Sequence, residues 1–202
     1  MKSPISPKLE FFFYIMIKKG LVRNGKKVYW RDGDIHSQFG VIKAKDIEKA
    51  ERTIKTHSGK EFAVYTANFI DQLKKIKRGP QTLVLKDLGY ILVHSGVNKD
   101  SFVVDAGSGC GVIAALLGKY AKKVVSYDIR EDHSKIAKRN LKFLGVNNIE
   151  LKIGDVYEGI SERNVDILTL DLAEPWNISF DCMKKGGMII VYLPTIIQVS
   201  EF

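Results

Sequence analysis

Residues 102–111 read Phe-Val-Val-Asp-Ala-Gly-Ser-Gly-Cys-Gly, an apolar run that leads directly into a glycine-rich turn. The next stretch, residues 112–120, has the composition of a helix. A strand, a glycine turn and a helix in this order bring backbone amides and a helix N-terminus to a nucleotide-like ligand. The spacing is G-x-G-x-G, at Gly107, Gly109 and Gly111, whereas dinucleotide-binding proteins use G-x-G-x-x-G. The turn therefore predicts a nucleotide-like ligand and disfavours a dinucleotide.

The composition of the 202 residues is basic, with 32 Lys plus Arg against 23 Asp plus Glu and a net charge of +9. This excess fits a polyanion partner, with nucleic acid ahead of a membrane surface, and fits a solvated lysine-rich surface equally well. The two cysteines, Cys110 and Cys182, predict no disulfide framework and suit a reducing cytoplasm. The small side chain of Cys110 within the glycine turn is most simply explained by packing.

One apolar run near the start, residues 9–17, is the candidate for a targeting or membrane segment. It contains Glu10 and is far shorter than the ~20 apolar residues that a spanning helix requires. Its aromatic and β-branched content favours a buried strand at 11–17. We therefore expect a soluble protein.

The first part of the chain, 1–72, predicts a small β-rich domain. Strand-like runs at 11–17 and 26–30 flank Asn24-Gly25, which is a strong hairpin-turn signal. Further short apolar runs predict strands at 39–42 and 62–65, and together these indicate a small barrel or a curled sheet. A helix is predicted over 66–77, closed by Pro80.

The remainder, 73–202, predicts an α/β domain with a doubly wound parallel sheet, because strands and helices alternate and the strands are almost continuously apolar. The predicted helices are 86–96, 112–120 and 131–144, with one more beginning near Thr195. The predicted strands are 102–105, 123–128, 149–153, 165–171 and 188–193, the last after a turn at 185–187.

Acidic residues stand at the carboxyl ends of four successive predicted strands: Asp105, Asp128, Asp155 and Asp171. In an open parallel sheet, ligands bind in the crevice outside these ends. Asp128 follows Gly107 by 21 positions, which is the spacing of a carboxylate that binds ribose hydroxyls. The four acids together predict one shared site.

Residues 81–199 resemble the class I S-adenosylmethionine-dependent methyltransferases, and more narrowly the TrmI-type tRNA (adenine-N1)-methyltransferases. The acid–Pro–Trp stretch and the Pro-Thr-Ile-x-Gln stretch are the most specific of the matching motifs. The resemblance rests on these stretches: Pro80-Gln81 with Lys86-Asp87, Asp105–Gly111, Tyr127–Asp132, Gly154–Val156, Asp171–Trp176 and Tyr192–Gln198.

The resemblance implies methyl transfer from S-adenosylmethionine to N1 of adenine at positions 57 and 58 in the T-loop of tRNA, by a cytoplasmic homotetramer without a metal. Asp171 is the implied catalytic residue, placed to engage the N6 amino group of the target base. The implied cofactor-binding residues are Gln81, Asp105, Gly107, Ser108, Gly109, Cys110, Asp128, His133, Asp155 and Val156. For His133, an exposed histidine on a helix is an equally good explanation. The basic segment 74–78 either grips phosphates or is a solvated helix face.

Three departures from the family pattern are visible. Val84 stands where many relatives carry Tyr or His, and Ala173 stands where proline is usual. The sheet of this class ordinarily ends with a β-hairpin after the helix that begins near Thr195, and we expect that hairpin to be missing. Two other functions remain open: a non-catalytic tRNA-binding subunit or inactive truncated paralog, and a nucleotide-dependent oxidoreductase.

Overall fold

The computed structural model describes residues 16–79 and 82–202. The chain divides into two compact units between Ile76 and Lys77.

The first unit contains a four-stranded antiparallel sheet of order β2-β1-β6-β5 and a separate two-stranded ribbon, β3-β4. The two helices that fall within its described residues, 16–76, are short. The elements are β1 (Lys19–Arg23), β2 (Lys26–Trp30), β3 (Ile35–Ser37), β4 (Gly40–Ile42), α1 (Ala44–Lys49), β5 (Thr53–Lys55), β6 (Glu61–Thr66) and α2 (Phe69–Leu73).

The core of this unit follows from alternation along the strands. Phe62 and Val64 are buried while their neighbours Glu61 and Ala63 are exposed, as expected when successive side chains point to opposite faces. They join Leu21, Trp30, Ile42 and Ile47 in one apolar cluster.

Several predictions for the first unit are confirmed. Strand β2 has the predicted bounds, and the Asn24-Gly25 turn has left-handed φ angles of +48° and +73°, as a tight hairpin requires. The predicted strand at 11–17 falls mostly outside the described residues; Met16 and Ile17, which are described, belong to no strand.

The predicted helix at 66–77 is wrong in extent, since only Phe69–Leu73 is helical. Asn68 stops it from beginning earlier: its side chain accepts from the backbone of Asp71 in a capping box, with the Asp71 side chain accepting in return. Strands β1, β3 and β5 and helix α1 were not predicted, because each is short and its polar or charged residues interrupt the apolar pattern.

The second unit is built on a five-stranded sheet of order β11-β10-β7-β8-β9. Every neighbouring pair of strands is parallel. The elements are α3 (Leu85–Ser95), β7 (Phe102–Ala106), α4 (Val112–Gly118), β8 (Lys123–Asp128), α5 (Glu131–Leu144), β9 (Ile149–Ile153), β10 (Val165–Leu170), β11 (Met183–Val191) and α6 (Ile196–Glu201).

This order confirms the predicted Rossmann-like α/β sheet. Strands β8 and β9 follow β7 in sequence and lie on one side of it, whereas β10 and β11 lie on its other side. The reversal lies between β7 and β10, and a ligand crevice is expected outside the strand ends at such a point. Strands β8 and β9 and helix α5 have the predicted bounds.

Strand β11 differs from its prediction. It begins at Met183, and the predicted turn at 185–187 is an irregularity within it. Val165 pairs with Met183 and Ile167 with Met188, so the intervening residues of β11 bulge out of register. Gly186 accommodates the bulge with a φ of +79°.

Within the described ranges, none of the helices is long and apolar enough to cross a lipid bilayer.

Candidate functional site

The glycine turn brings the ends of β7 and β10 into close contact. Gly107 has a φ of +100°, and a Cβ atom there would lie 2.3 Å from the backbone oxygen of Asp171. The amide of Asp171 in turn donates to the carbonyl of Ala106 at 2.9 Å. Only glycine tolerates both this φ and this approach, so Gly107 holds Asp171 beside the turn.

Asp105 lies beneath the turn and is fully buried. Its two oxygens accept hydrogen bonds from Ser126 at 2.6 Å and Thr169 at 2.7 Å. The hydroxyl of Ser126 also lies 2.6 Å from that of Ser108 in the turn. Burial raises the pKa of Asp105 to about 6, against the effect of the two hydroxyl donors. Asp105 therefore links β8, β10 and the turn from below.

Asp128 ends β8 and is surrounded by donors. Its Oδ2 accepts from the amide of Gly109 at 2.8 Å and lies 3.1 Å from Nδ1 of His133, while its Oδ1 accepts from the amide of Arg130 at 2.9 Å. A carboxylate offers about four acceptor positions, and these contacts take three. One position remains for a ligand hydroxyl, and a second becomes available if His133 turns away.

The turn after β9 presents a second carboxylate. Asp155 caps a short 3₁₀ turn, Val156–Glu158, by accepting from the amide of Tyr157 at 2.9 Å through Oδ1. Val156 is buried and Tyr157 is partly exposed. The other oxygen of Asp155, Oδ2, accepts no hydrogen bond from the described residues.

Asp171 is a half-buried carboxylate at the end of β10. Burial raises the pKa of Asp171 above its ordinary value. Nothing in the described parts of the chain donates a hydrogen bond to its side-chain oxygens. Because the side chain is only half-buried, its oxygens remain accessible and can accept hydrogen bonds from a ligand.

A hydrogen bond from α6 supports the backbone beside Asp171. Gln198 donates through Nε2 to the carbonyl of Ala173 at 3.1 Å. Thr195 caps α6 by accepting from the amide of Gln198. The Pro-Thr-Ile-x-Gln stretch thus contacts the loop after β10. Because the acceptor is the backbone carbonyl of Ala173, this contact does not depend on the side chain at position 173. Val84, the other departure from the family pattern, precedes α3 and is half exposed.

These elements enclose a cleft of about 600 Å³, which lies in the size range of small-molecule and cofactor sites. It is lined by Gly79, Gly107, Gly109, Cys110, Tyr127, Asp128, Ile129, Arg130, His133, Ile136, Gly154, Asp155, Val156, Tyr157, Asp171, Leu172 and Ala173.

The structure brings most of the sequence-predicted site residues to this cleft. Those that line it are Gly107, Gly109, Cys110, Asp128, His133, Asp155, Val156 and Asp171. Asp105, which lies beneath the turn, and Ser108, which belongs to it, are both buried and do not line the cleft. Gln81 lies outside the described residues.

Sequence reasoning missed several lining residues, including Tyr127, Ile129, Ile136 and Tyr157. Ile129 could have been found from the sequence, because it directly follows the strand-end acid Asp128. In the structure its side chain is 66% exposed. Ile136 lies one helical turn after Asp132, and its place on the cleft follows only from how α5 packs.

The cleft fits a nucleoside-bearing cofactor. Asp128 retains an acceptor position for a ribose hydroxyl, Asp155 has an oxygen available for an amino group, and Ile129 and Val156 offer apolar surface to a flat ring. Gly107 and Gly109 present backbone without side chains. No set of three His, Cys, Asp or Glu side chains within residues 16–79 and 82–202 is grouped to hold a metal ion.

A parallel sheet of this order, a G-x-G-x-G turn over its switch point and an acid at each of four neighbouring strand ends define a Rossmann-like methyltransferase. Comparisons with known proteins agree. A model of the ribosomal RNA adenine dimethylase family matches residues 81–165. The crystal structure of a SAM-dependent O-methyltransferase from Thermotoga maritima superposes with a TM-score of 0.81 at 28% identity, covering 92% of this chain and 74% of that one.

The narrower relationship comes from sequence. The tRNA (adenine(57)-N(1)/adenine(58)-N(1))-methyltransferase TrmI of Methanocaldococcus jannaschii is 35% identical, over 82% of this chain and 70% of the relative. The chain belongs to the TrmI family of tRNA (adenine-N1)-methyltransferases. The fold of tRNA (m1A58) methyltransferase TrmI from Aquifex aeolicus is also similar, with a TM-score of 0.75 at 23% identity over 91% of this chain and 77% of that one.

Proposed function

We propose that this protein methylates N1 of adenine 57 or 58 in the T-loop of tRNA, with S-adenosylmethionine as methyl donor and Asp171 as the residue that engages the target base. The observation that carries the proposal is the Asp171 carboxylate, half-buried at the cleft and without a donor among the described residues. Family membership and the nucleoside-sized cleft support the same reaction.

The contacts of the cleft and the family resemblance support an assignment of the cofactor-binding residues. Asp128 would hold the ribose, with His133 beside it, and Asp155 with Val156 would hold the adenine. The backbone at Gly107, Gly109 and Cys110 would flank the methionine part, together with Gln81. Asp105 and Ser108 would act from below by fixing the turn. When bound, S-adenosylmethionine supplies a methyl group activated by a sulfonium centre.

Asp171 acts on the target adenine in two ways. Its carboxylate accepts a hydrogen bond from the N6 amino group, which orients the base and makes N1 more electron-rich. As N1 gains its methyl group, positive charge spreads toward N6, and the same hydrogen bond strengthens because its donor becomes more acidic. The carboxylate then takes the N6 proton. This role requires Asp171 to be ionised. Because its pKa is raised, activity should fall as the pH drops, and the fall should begin at a higher pH than the ordinary pKa of aspartate would give.

Access to N1 requires the base to leave its stack, because the atom lies on the Watson–Crick edge. The basic segment Lys74–Arg78 would hold phosphates of the tRNA; its lysines and arginine are exposed while Ile76 is buried. We further propose a homotetramer that acts in the cytoplasm, with a β-rich domain at 1–72 and a methyltransferase domain at 73–202.

The test is tritium-methyl transfer to unmodified tRNA. The Asp171→Ala variant should lose at least 100-fold in kcat, as expected when an electrostatic group is removed. Its Kd for S-adenosylmethionine, measured by calorimetry, should remain within about twofold of wild type. Asp181→Ala, which removes an exposed acid away from the cleft, is the matched control and should remain active.

The outcomes separate the alternatives. A tRNA whose adenines 57 and 58 are both replaced by guanine should not be labelled. Binding of tRNA without methyl transfer would favour the non-catalytic subunit or inactive paralog, and binding of NADH in place of S-adenosylmethionine would favour an oxidoreductase. Transfer to protein but not to tRNA would overturn the proposal.

A further inference from the structure

The 171–176 loop, which follows β10 and carries Asp171, is held from two directions. On one side, the amide of Glu174 donates to the hydroxyl of Tyr157 at 3.2 Å. On the other side, Gln198 of α6 donates to the carbonyl of Ala173 at 3.1 Å. The two contacts come from elements that are far apart in sequence, so each gives the loop an independent restraint.

Tyr157 belongs to the turn that would hold the adenine of the cofactor. Its amide donates to Asp155, and its side chain lines the same cleft as Asp155 and Asp171. At 42% exposure, its ring is not a core residue. One residue thus contacts the cofactor-side turn through its backbone and the catalytic loop through its hydroxyl.

We propose that Tyr157 is a positioning residue that couples binding of the cofactor to the placement of Asp171. A purine ring that packs against Val156 and donates a hydrogen bond to Asp155 restricts the motion of the turn at 155–157. The Tyr157 hydroxyl, which belongs to this turn, then restricts the backbone at Glu174. Binding of the methyl donor therefore narrows the range of positions open to the loop that presents Asp171 to the target base. This inference rests on the proposed function of the cleft.

Gln198 provides the contrast. Its side chain contacts the 171–176 loop from α6, which contributes no residue to the cleft lining. The restraint from Gln198 is therefore present with or without the cofactor. Both residues therefore support the reaction, but only Tyr157 links binding of the cofactor to the position of the 171–176 loop.

Trp176 makes the coupling measurable. It lies at the end of the 171–176 loop, in a short 3₁₀ turn, and is partly buried, so its fluorescence reports the surroundings of the loop. The other tryptophan, Trp30, is a core residue of the first unit. Subtracting the signal of a Trp176→Phe variant isolates the Trp176 contribution.

The experiment titrates wild type, Tyr157→Phe, Gln198→Ala and the control Tyr120→Phe with S-adenosylhomocysteine, and then measures tRNA methylation. Tyr157→Phe keeps the ring and removes only the hydroxyl. Its Kd should stay within twofold of wild type, its Trp176 response should be largely lost, and its kcat should fall about 3- to 10-fold, the effect of one net hydrogen bond. Gln198→Ala should lower kcat and keep the response, and Tyr120→Phe, an exposed tyrosine away from the cleft, should match wild type in both.

A Tyr157→Phe variant with wild-type kcat and an unchanged Trp176 response would overturn the inference. A tenfold weaker Kd for S-adenosylhomocysteine with an intact response would also overturn it, since Tyr157 would then be a simple binding residue. The fluorescence arm needs no tRNA. If wild type fails to methylate tRNA, the proposed function falls, while the titration still decides whether Tyr157 couples the cleft to the loop.

Discussion

Asp105 shows how a single residue can be essential to a site that it does not touch. Its position in the glycine motif predicts a cofactor contact, yet its carboxylate is fully buried and accepts from Ser126 and Thr169. A carboxyl group in such surroundings retains its proton more readily than in water. The contribution of Asp105 to the free energy of unfolding should therefore depend on pH.

The Asp105→Asn variant should remove part of the pH dependence of stability. Because burial raises the pKa of Asp105 to about 6, the folded protein binds more protons than the unfolded chain between about pH 4 and pH 6. The stabilisation by Asp105 is thus fully present below pH 4 and is lost as pH rises through 6. It amounts to about 3 kcal/mol at its largest.

The measurement is urea unfolding of wild type and Asp105→Asn at pH 4 and pH 7. The free energy of unfolding of wild type, relative to the variant, should drop by about 2 kcal/mol across this range. Contributions from the other titrating groups cancel in the comparison. A difference that stays constant with pH would show that Asp105 is ionised throughout.

At the scale of elements, helix α5 connects the glycine turn to the start of the second unit. Asn140, which is buried on this helix, donates through Nδ2 to the carbonyls of Cys110 and Lys77, both at 2.8 Å, and accepts from the amide of Lys77 at 2.9 Å. Nearby, Gly111 leaves room for Ala137, since a Cβ there would lie 3.1 Å from the Ala137 Cβ. The helix therefore fixes the turn by hydrogen bonding as well as by packing.

Replacing Asn140 with alanine should destabilise the second unit by about 2–4 kcal/mol, because buried backbone groups lose their partners. The turn would also loosen, so the Kd for S-adenosylmethionine should rise about tenfold. Thermal unfolding and calorimetry measure the two effects. Lys138→Ala, an exposed change on the same helix, should alter neither. Equal stability of the two variants would contradict this account of α5.

Elements of the second unit could be predicted well because their signals are strong. Strands such as β8 are buried on both faces and therefore read as continuous apolar runs. The first unit offered weaker signals. Strand β1 contains Lys19 and Arg23, yet Lys19 lies against α1 and donates to the carbonyls of Ile47, Glu48 and Ala50. A lysine at a helix C-terminus is a tertiary interaction that periodicity does not reveal.

At the scale of the whole molecule, the net charge of +9 should govern the encounter with tRNA. Binding of a polyanion releases counterions, so affinity falls steeply with salt. The triple variant Lys74→Gln, Lys77→Gln, Arg78→Gln should raise the KM for tRNA and reduce the slope of log Kd against log salt by about 2. Binding of S-adenosylhomocysteine should be unchanged.

The matched control removes the same charge elsewhere, at Lys99, Lys135 and Lys138, all of which are exposed. Filter binding of tRNA at several salt concentrations compares the two triples. A specific role for the 74–78 segment requires a larger effect there than in the control. Equal losses would assign the effect to net charge alone.

The sequence by itself determined the fold of the second unit and the strand ends where its site lies. Continuous apolar strands, glycine spacing and strand-end acids are local patterns, and the parallel sheet aligns the strand ends at one edge. The tertiary structure alone decided what each acid does. Asp105 faces buried hydroxyls, Asp128 accepts from three donors and Asp171 has none among the described residues, because neighbouring strands and loops surround each one differently. It also placed Tyr157 between two loops that the chain keeps apart, through a contact that only folding creates.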